Sequence, residues 1–142
     1  MNDICKELNE ALESLESKLR AYLELFDRKE LYSFLPTDEK QEFYKNKYLE
    51  FSLQIAPDTK RISSIGHKLA TLLTKADKAM LEGACEELSS LFFEYTLLEG
   101  ALSDFRKNML KIFESKPLSL TGLLECARKL SFSVFELRKK LI

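Results

Sequence analysis

Residues 8–26 read LNEALESLESKLRAYLELF, and the spacing of the apolar side chains in this stretch decides the fold. They recur at intervals of 4, 3, 4, 3 and 4 residues, at Leu8, Leu12, Leu15, Leu19, Tyr22 and Phe26. This spacing puts a single apolar seam along a helix that packs lengthwise against other helices. It predicts a first helix over about residues 3–33.

A second segment, over residues 38–74, shows the same spacing and contains a proline. The repeat keeps its phase across Pro57 when Asp58 is counted as a polar seam position. A loop would normally reset the phase, whereas a kinked helix would keep it. We therefore expect one helix that is kinked near Pro57.

Two further segments complete the pattern. The third helix is predicted over residues 78–114, where apolar residues again recur every three or four positions and the last of them is Ile112. The fourth is predicted over residues 119–141, and either Ser119 or Thr121 is suited to cap its first turn. All four segments therefore indicate helices that pack side by side.

These elements predict one all-α domain over residues 1–142. We expect an elongated helical bundle or coiled coil, in which a long antiparallel helical hairpin is flanked by an N-terminal and a C-terminal helix. Composition agrees, because only four glycines and three prolines interrupt the chain. Gly83 and Gly100 lie inside the third helix, where they indicate either exposed positions or the close approach of another backbone.

The third and fourth helices carry more apolar side chains than a bundle requires, which is about three per heptad. An exposed apolar band flanked by charges usually marks an interface. We therefore expect a partner surface formed by Phe92, Phe93, Leu97, Leu110, Phe113, Leu124, Phe132 and Phe135. The alternative is that one or both of these helices are fully buried in the bundle.

The chain lacks the residue groupings that enzymes use. His67 is the only histidine, so a metal site with several histidines is excluded. No glycine-rich phosphate loop occurs either. We expect no catalytic residue, no cofactor and no metal. Cys5, Cys85 and Cys126 are widely spaced, which is typical of reduced thiols in the cytosol or nucleus.

Charge also limits the possible partners. A net charge of -1 provides no uniform field that would attract nucleic acid or an anionic membrane, so we expect neither as a direct partner. The charges are unevenly distributed, with seven acids and three bases in residues 1–27, but two acids and five bases in residues 119–142. Such polarity can orient two helices or a partner.

The fourth predicted helix begins with a recognisable segment, LSLTGLLECARKLS at residues 118–131. It resembles the segment that follows the long helical hairpin in the Mediator complex subunit four family. The shared features are an apolar residue and serine at the start, two aliphatic residues, an alanine, two basic positions, and a final aliphatic residue and serine. The layout of the elements is also similar over about residues 8–131. Gly122 and Cys126 depart from the family, where an acid and an aromatic residue are common.

This resemblance implies a non-catalytic scaffold subunit in the middle module of Mediator. Such a subunit would pair with other helical subunits, help to relay regulatory signals to RNA polymerase II, and be nuclear. The alternative is a spectrin-repeat-like cytoskeletal or adaptor module in the cytoplasm, because residues 60–69, KRISSIGHKL, look similar to the middle helix of such repeats. The absence of tryptophan argues against that alternative, since those repeats usually have one in their core.

Overall fold

A computed structural model of the protein describes residues 2–27, 37–75, 82–115 and 118–141. It contains four helices, which are α1 (Asn2–Asp27), α2 (Thr37–Lys75), α3 (Glu82–Glu114) and α4 (Leu120–Leu141). The predicted all-α fold class is confirmed. The predicted limits of the second and fourth helices differ from these bounds by one residue at most. The predicted end of the first helix and start of the third lie outside the described residues.

The four helices form a closed ring in which each helix packs on two others. Helix α1 contacts α2 and α4, and α3 contacts the same two helices. Neighbouring helices are antiparallel, as the pairing of α1 with α2 illustrates. Glu7, near the start of α1, pairs with Lys68 near the end of α2, while the ring of Phe26 stacks on Tyr44 near the start of α2. The predicted α2–α3 hairpin is thus completed by α1 and α4 into a four-helix bundle.

The apolar seam predicted from the spacing forms the core. In α1 all six seam side chains are buried, and α2, α3 and α4 supply the remaining members of one continuous cluster. Removing a leucine or phenylalanine side chain from water contributes about 1.5–3 kcal/mol, so this cluster supplies the main driving force for assembly.

The core has two ends that differ in composition. One end lies near the C-termini of α1 and α3, and we call it the aromatic end. It is formed by Tyr22, Phe26, Tyr44, Tyr48, Phe51, Phe105 and Phe113. Its rings are in direct contact, and those of Tyr22 and Phe51 stack with centroids 4.5 Å apart. The opposite, aliphatic end is formed by Leu8, Leu12, Ile62, Ile65, Leu69, Leu98 and Leu137.

A partly buried ion pair lies between these two ends, beside the proline of α2. Helix α2 runs without interruption through Pro57. The next residue, Asp58, is only 7% exposed and accepts a hydrogen bond of 2.8 Å from the ammonium group of Lys18. Lys18 also donates to the carbonyl of Gln54, at 3.0 Å. This carbonyl adjoins that of Leu53, for which Pro57 supplies no N–H at the i+4 position. The polar seam position is therefore matched by a cation on the facing helix.

The glycines of the bundle have different surroundings. A Cβ atom at Gly66 would overlap the ring of Tyr95, so the absence of a side chain on α2 makes room for this ring on α3. A Cβ at Gly100 would meet nothing within 4 Å, which excludes a close approach of another part of the described chain. The surroundings of Gly83 lie outside the residues whose side chains are described.

Candidate interaction surface

The structure divides the eight residues expected at an interface into buried, partly buried and exposed side chains. Phe113 is only 8% exposed, and its ring lies 5.5 Å from that of Tyr48 in the aromatic end of the core. It must therefore be removed from the expected surface. Phe92 and Leu124 are partly buried against the core. Five side chains remain exposed, namely Phe93, Leu97, Leu110, Phe132 and Phe135.

Phe132 and Phe135 are exposed because of their positions on α4. The helix faces the core with Leu130 and Val134, both of which are buried. Phe132 lies two residues from each of them, or about 200° around the helix, and therefore points outward. Phe132 is 63% exposed and Phe135 is 54% exposed. Two large aromatic side chains thus lie at the surface one turn apart.

These two phenylalanines line a groove between α4 and α1. We call it the α1–α4 groove; it has a volume of about 460 Å³, and is lined by Glu16, Arg20, Leu23, Arg128, Ser131, Phe132 and Phe135. Leu23 contributes an apolar side chain from α1, on the flank that faces α4. The groove is therefore an apolar strip formed by two helices and bordered by charges.

The acid in the groove lining, Glu16, is paired within the molecule. Glu16 accepts a hydrogen bond from Arg20 at 3.0 Å through one oxygen, and from Arg138 at 2.9 Å through the other. Arg138 also donates to the side-chain carbonyl of Asn9, at 3.2 Å, and lies 3.8 Å from a carboxylate oxygen of Glu13. Charge-assisted hydrogen bonds of this kind are stronger than neutral ones, and they hold α4 against α1.

The bases on the outer side of α4 are less fully paired. Arg128 is exposed and forms no ion pair with the residues that the structure describes. The ammonium group of Lys139 lies 5.5 Å from the ring centroid of Phe135 and 3.8 Å from a carboxylate oxygen of Glu136. A cation above an aromatic ring is attracted by its negative face. The phenylalanines are therefore bordered by positive charge along α4.

The other exposed apolar side chains lie elsewhere on the bundle. Phe93 and Leu97 are one turn apart on α3, whereas the groove is on the flank of α4 that faces α1. Leu49 and Leu53 are exposed on α2, although the sequence interpretation did not include them. The sequence feature that could have identified them is a second apolar repeat, which continues at Ala56 and is out of phase with the buried seam of α2.

Sequence reasoning also missed three residues that shape the bundle and the groove. Leu23 lies one position after the seam residue Tyr22, so its place in the groove depends on how α1 and α4 are rotated about their axes. Gly66 makes room for the ring of Tyr95 on α3, and Lys18 pairs with Asp58 on α2. Neither Gly66 nor Lys18 belongs to a local sequence motif. Only the packing of the helices reveals these three roles.

The polar groups outside the groove include two free cysteine thiols, Cys5 and Cys126. Burial raises the pKa of the Cys126 thiol, which favours its neutral form. Among the described side chains, no three histidines, cysteines or acids lie close enough together to hold a metal ion. No helix within the described ranges is long and apolar enough to cross a membrane.

Comparison with known proteins yields no relative. No protein-family model matches the chain, and searches of curated proteins and of solved structures give no match.

Proposed function

We propose that the protein is a non-catalytic scaffold subunit that binds helices of other proteins through the α1–α4 groove. The observation that carries this proposal is the exposure of Phe132 and Phe135 beside a core that is already filled by the seam. Neither ring is needed to close the bundle, and both lie next to Leu23 in a concave strip. Aromatic side chains in such a setting are frequent anchors of protein interfaces.

We further propose that this subunit belongs to the middle module of Mediator and helps to relay regulatory signals to RNA polymerase II in the nucleus. The support is the resemblance of residues 118–131 to the Mediator complex subunit four family. In this segment Ser119 accepts a hydrogen bond from the backbone N–H of Gly122, at 3.1 Å, and so caps α4. Ala127 and Leu130 are buried, while Arg128 and Lys129 face outward.

The pattern of burial in this segment is consistent with a scaffold role. The alanine and aliphatic positions attach α4 to the bundle, and the two basic positions remain available to a partner. This arrangement of buried apolar and exposed basic positions requires no reactive group. It leaves the groove beside α4 as the binding surface.

Purification of the tagged protein from the nuclei of cells that make it tests this proposal. We expect helical subunits of the Mediator middle module to co-purify in stoichiometric amounts and to crosslink to residues bordering the α1–α4 groove. The double variant Phe132→Ser/Phe135→Ser should lose them, whereas the matched variant Phe93→Ser/Leu97→Ser, which alters the exposed face of α3, should retain them.

Recovery of a monomer without such subunits would overturn the proposal. Retention of actin in place of transcription subunits would instead favour the spectrin-repeat-like alternative. Circular dichroism of both variants establishes that the bundle remains folded, as expected for substitutions at exposed positions.

A further inference from the structure

We propose that the α1–α4 groove binds an amphipathic helix whose apolar face is bordered by aspartate and glutamate. This inference rests on the proposed function and specifies the chemistry of the partner. Its basis is the combination of Phe132, Phe135 and Leu23 with the bases that surround them.

The apolar part of the groove fits a helix. Phe132 and Phe135 are three residues apart and hence neighbours on one face of α4. Leu23 faces them from α1 across the groove. A helix lying along this strip would contact them with side chains at positions i, i+3, i+4 and i+7, which recur on one face of a helix. An extended segment alternates its side chains between two faces and would bury fewer of them.

The charges around the groove favour an acidic partner. Among the described residues that line the groove, the one acid is Glu16, which already accepts hydrogen bonds from Arg20 and Arg138. Arg128 and Lys139 lie on the same flank of α4 as the two phenylalanines, and residues 119–142 contain five bases against two acids. A carboxylate that docks here would therefore meet Arg128, which forms no ion pair with the described residues, and Lys139, whose contact with Glu136 is long, at 3.8 Å. Complementary charges of this kind increase both specificity and the rate of association.

A second copy of the chain fits the groove less well. In a twofold arrangement with two antiparallel α4 helices, Phe132 and Phe135 of one copy would lie against Phe135 and Phe132 of the other. Residues that flank this centre symmetrically would then face each other, which places Arg128 opposite Lys139. Two bases in contact repel, so the groove disfavours self-association in this register.

Binding of designed peptides to the full chain tests the inference. The probe is a fluorescent helical peptide of about 18 residues, a length at which helices become stable in water, with leucines at i, i+3, i+4 and i+7 and glutamates on both sides. Its matched control has lysine in place of every glutamate. We expect the acidic peptide to bind at least about tenfold more tightly, with an affinity that falls as salt is added.

Variants of the groove locate the binding site. Arg128→Glu and Lys139→Glu should each weaken binding of the acidic peptide about threefold, a size typical of exposed charge pairs, and should improve binding of the basic peptide. Phe132→Ala should weaken both about tenfold or more. The matched controls Lys107→Glu and Phe93→Ala, at exposed positions of α3, should leave both affinities unchanged.

Several outcomes would overturn the inference. These are equal affinity for both peptides, tighter binding of the basic one, no effect of the Arg128 and Lys139 reversals, or self-association of the chain that Phe132→Ala abolishes. The proposed function can fail separately. If the acidic peptide binds as expected but no Mediator subunit co-purifies, the preference of the groove for acidic helices stands. Only the assignment to Mediator is then wrong.

Discussion

The two ends of the bundle core are both buried but are built from different side chains. The seven side chains that define the aliphatic end are branched and carry no polar atoms. The aromatic end consists of stacked and edge-on rings, three of which are tyrosines whose hydroxyls must be buried with them. The hydroxyl of Tyr22 is buried and has no hydrogen-bond partner among the described residues. The aromatic end therefore combines a large gain from ring burial with a polar penalty that the aliphatic end avoids.

The largest expected effect on stability comes from truncating one core side chain to alanine at each end in turn. Phe51→Ala removes a fully buried ring that stacks on Tyr22, and should lower the free energy of unfolding by about 4 kcal/mol. Leu98→Ala at the aliphatic end should lower it by about 3 kcal/mol. Urea denaturation followed by circular dichroism measures both.

Phe93→Ala is the control for these truncations, because Phe93 is 61% exposed. It should change stability by no more than about 0.5 kcal/mol. A loss from Phe51→Ala as small as that from Phe93→Ala would show that the aromatic end is not packed as described.

The next effect concerns the ion pair that separates the two ends. Lys18→Met keeps an apolar stem but leaves the carboxylate of Asp58 almost buried without its cation. Stability should fall by about 2 kcal/mol, less than for a fully buried pair because Lys18 is partly exposed. In the double variant Lys18→Met/Asp58→Leu most of this loss should be recovered, since no uncompensated charge remains.

A matched surface pair provides the comparison. Lys68→Met breaks the exposed pair between Lys68 and Glu7 and should have an effect of no more than about 0.5 kcal/mol. Equal losses of stability from Lys18→Met and Lys68→Met would show that the pair of Lys18 with Asp58 contributes no more than an exposed ion pair.

The seam could be predicted from the sequence, whereas the surface around it could be predicted only in part. The 4-3 spacing indicated most of the buried positions in the described parts of the helices, and even the polar seam position of Asp58, although Leu72, which the same spacing includes, is 37% exposed. It placed the last seam residue of α3 at Ile112, but Phe113 is the one that is buried. A helix with 3.6 residues per turn drifts relative to a repeat of 3.5, so near the end of a long helix the adjacent residue can take the core position.

The groove was harder to predict, for a different physical reason. Phe132 and Phe135 could be identified because they are surplus to the seam of α4. Their neighbour Leu23 could not, because the distance between α1 and α4 and their relative rotation depend on all four helices together. Sequence spacing thus predicts which face of a helix is buried, but not which outward side chains from two helices adjoin each other.

A smaller effect is expected from the ring of Tyr95, which lies beside the aliphatic end and next to the ring of Phe92. Tyr95 is accommodated there because Gly66 has no side chain. Gly66→Ala should destabilise the bundle by about 1–2 kcal/mol, since the overlap with the ring exceeds the gain in helix propensity. Tyr95→Ala removes the ring, so Gly66→Ala should no longer destabilise when it is introduced into that variant. If Gly66→Ala destabilises equally in both backgrounds, the ring is not the cause.

The smallest effect, and the only stabilising one, is expected at the aromatic end. Tyr22→Phe removes a buried hydroxyl without a partner and should raise the free energy of unfolding by about 1 kcal/mol at neutral pH. Burial raises the pKa of Tyr22, so the folded protein holds this proton more tightly than the unfolded chain does. The stability that depends on Tyr22 is therefore fully present below the ordinary tyrosine pKa, about 10, and is lost as the pH rises above it. Stability measured across this alkaline range should decline less steeply for Tyr22→Phe than for the unmodified protein, and an unchanged slope would contradict the burial of this hydroxyl.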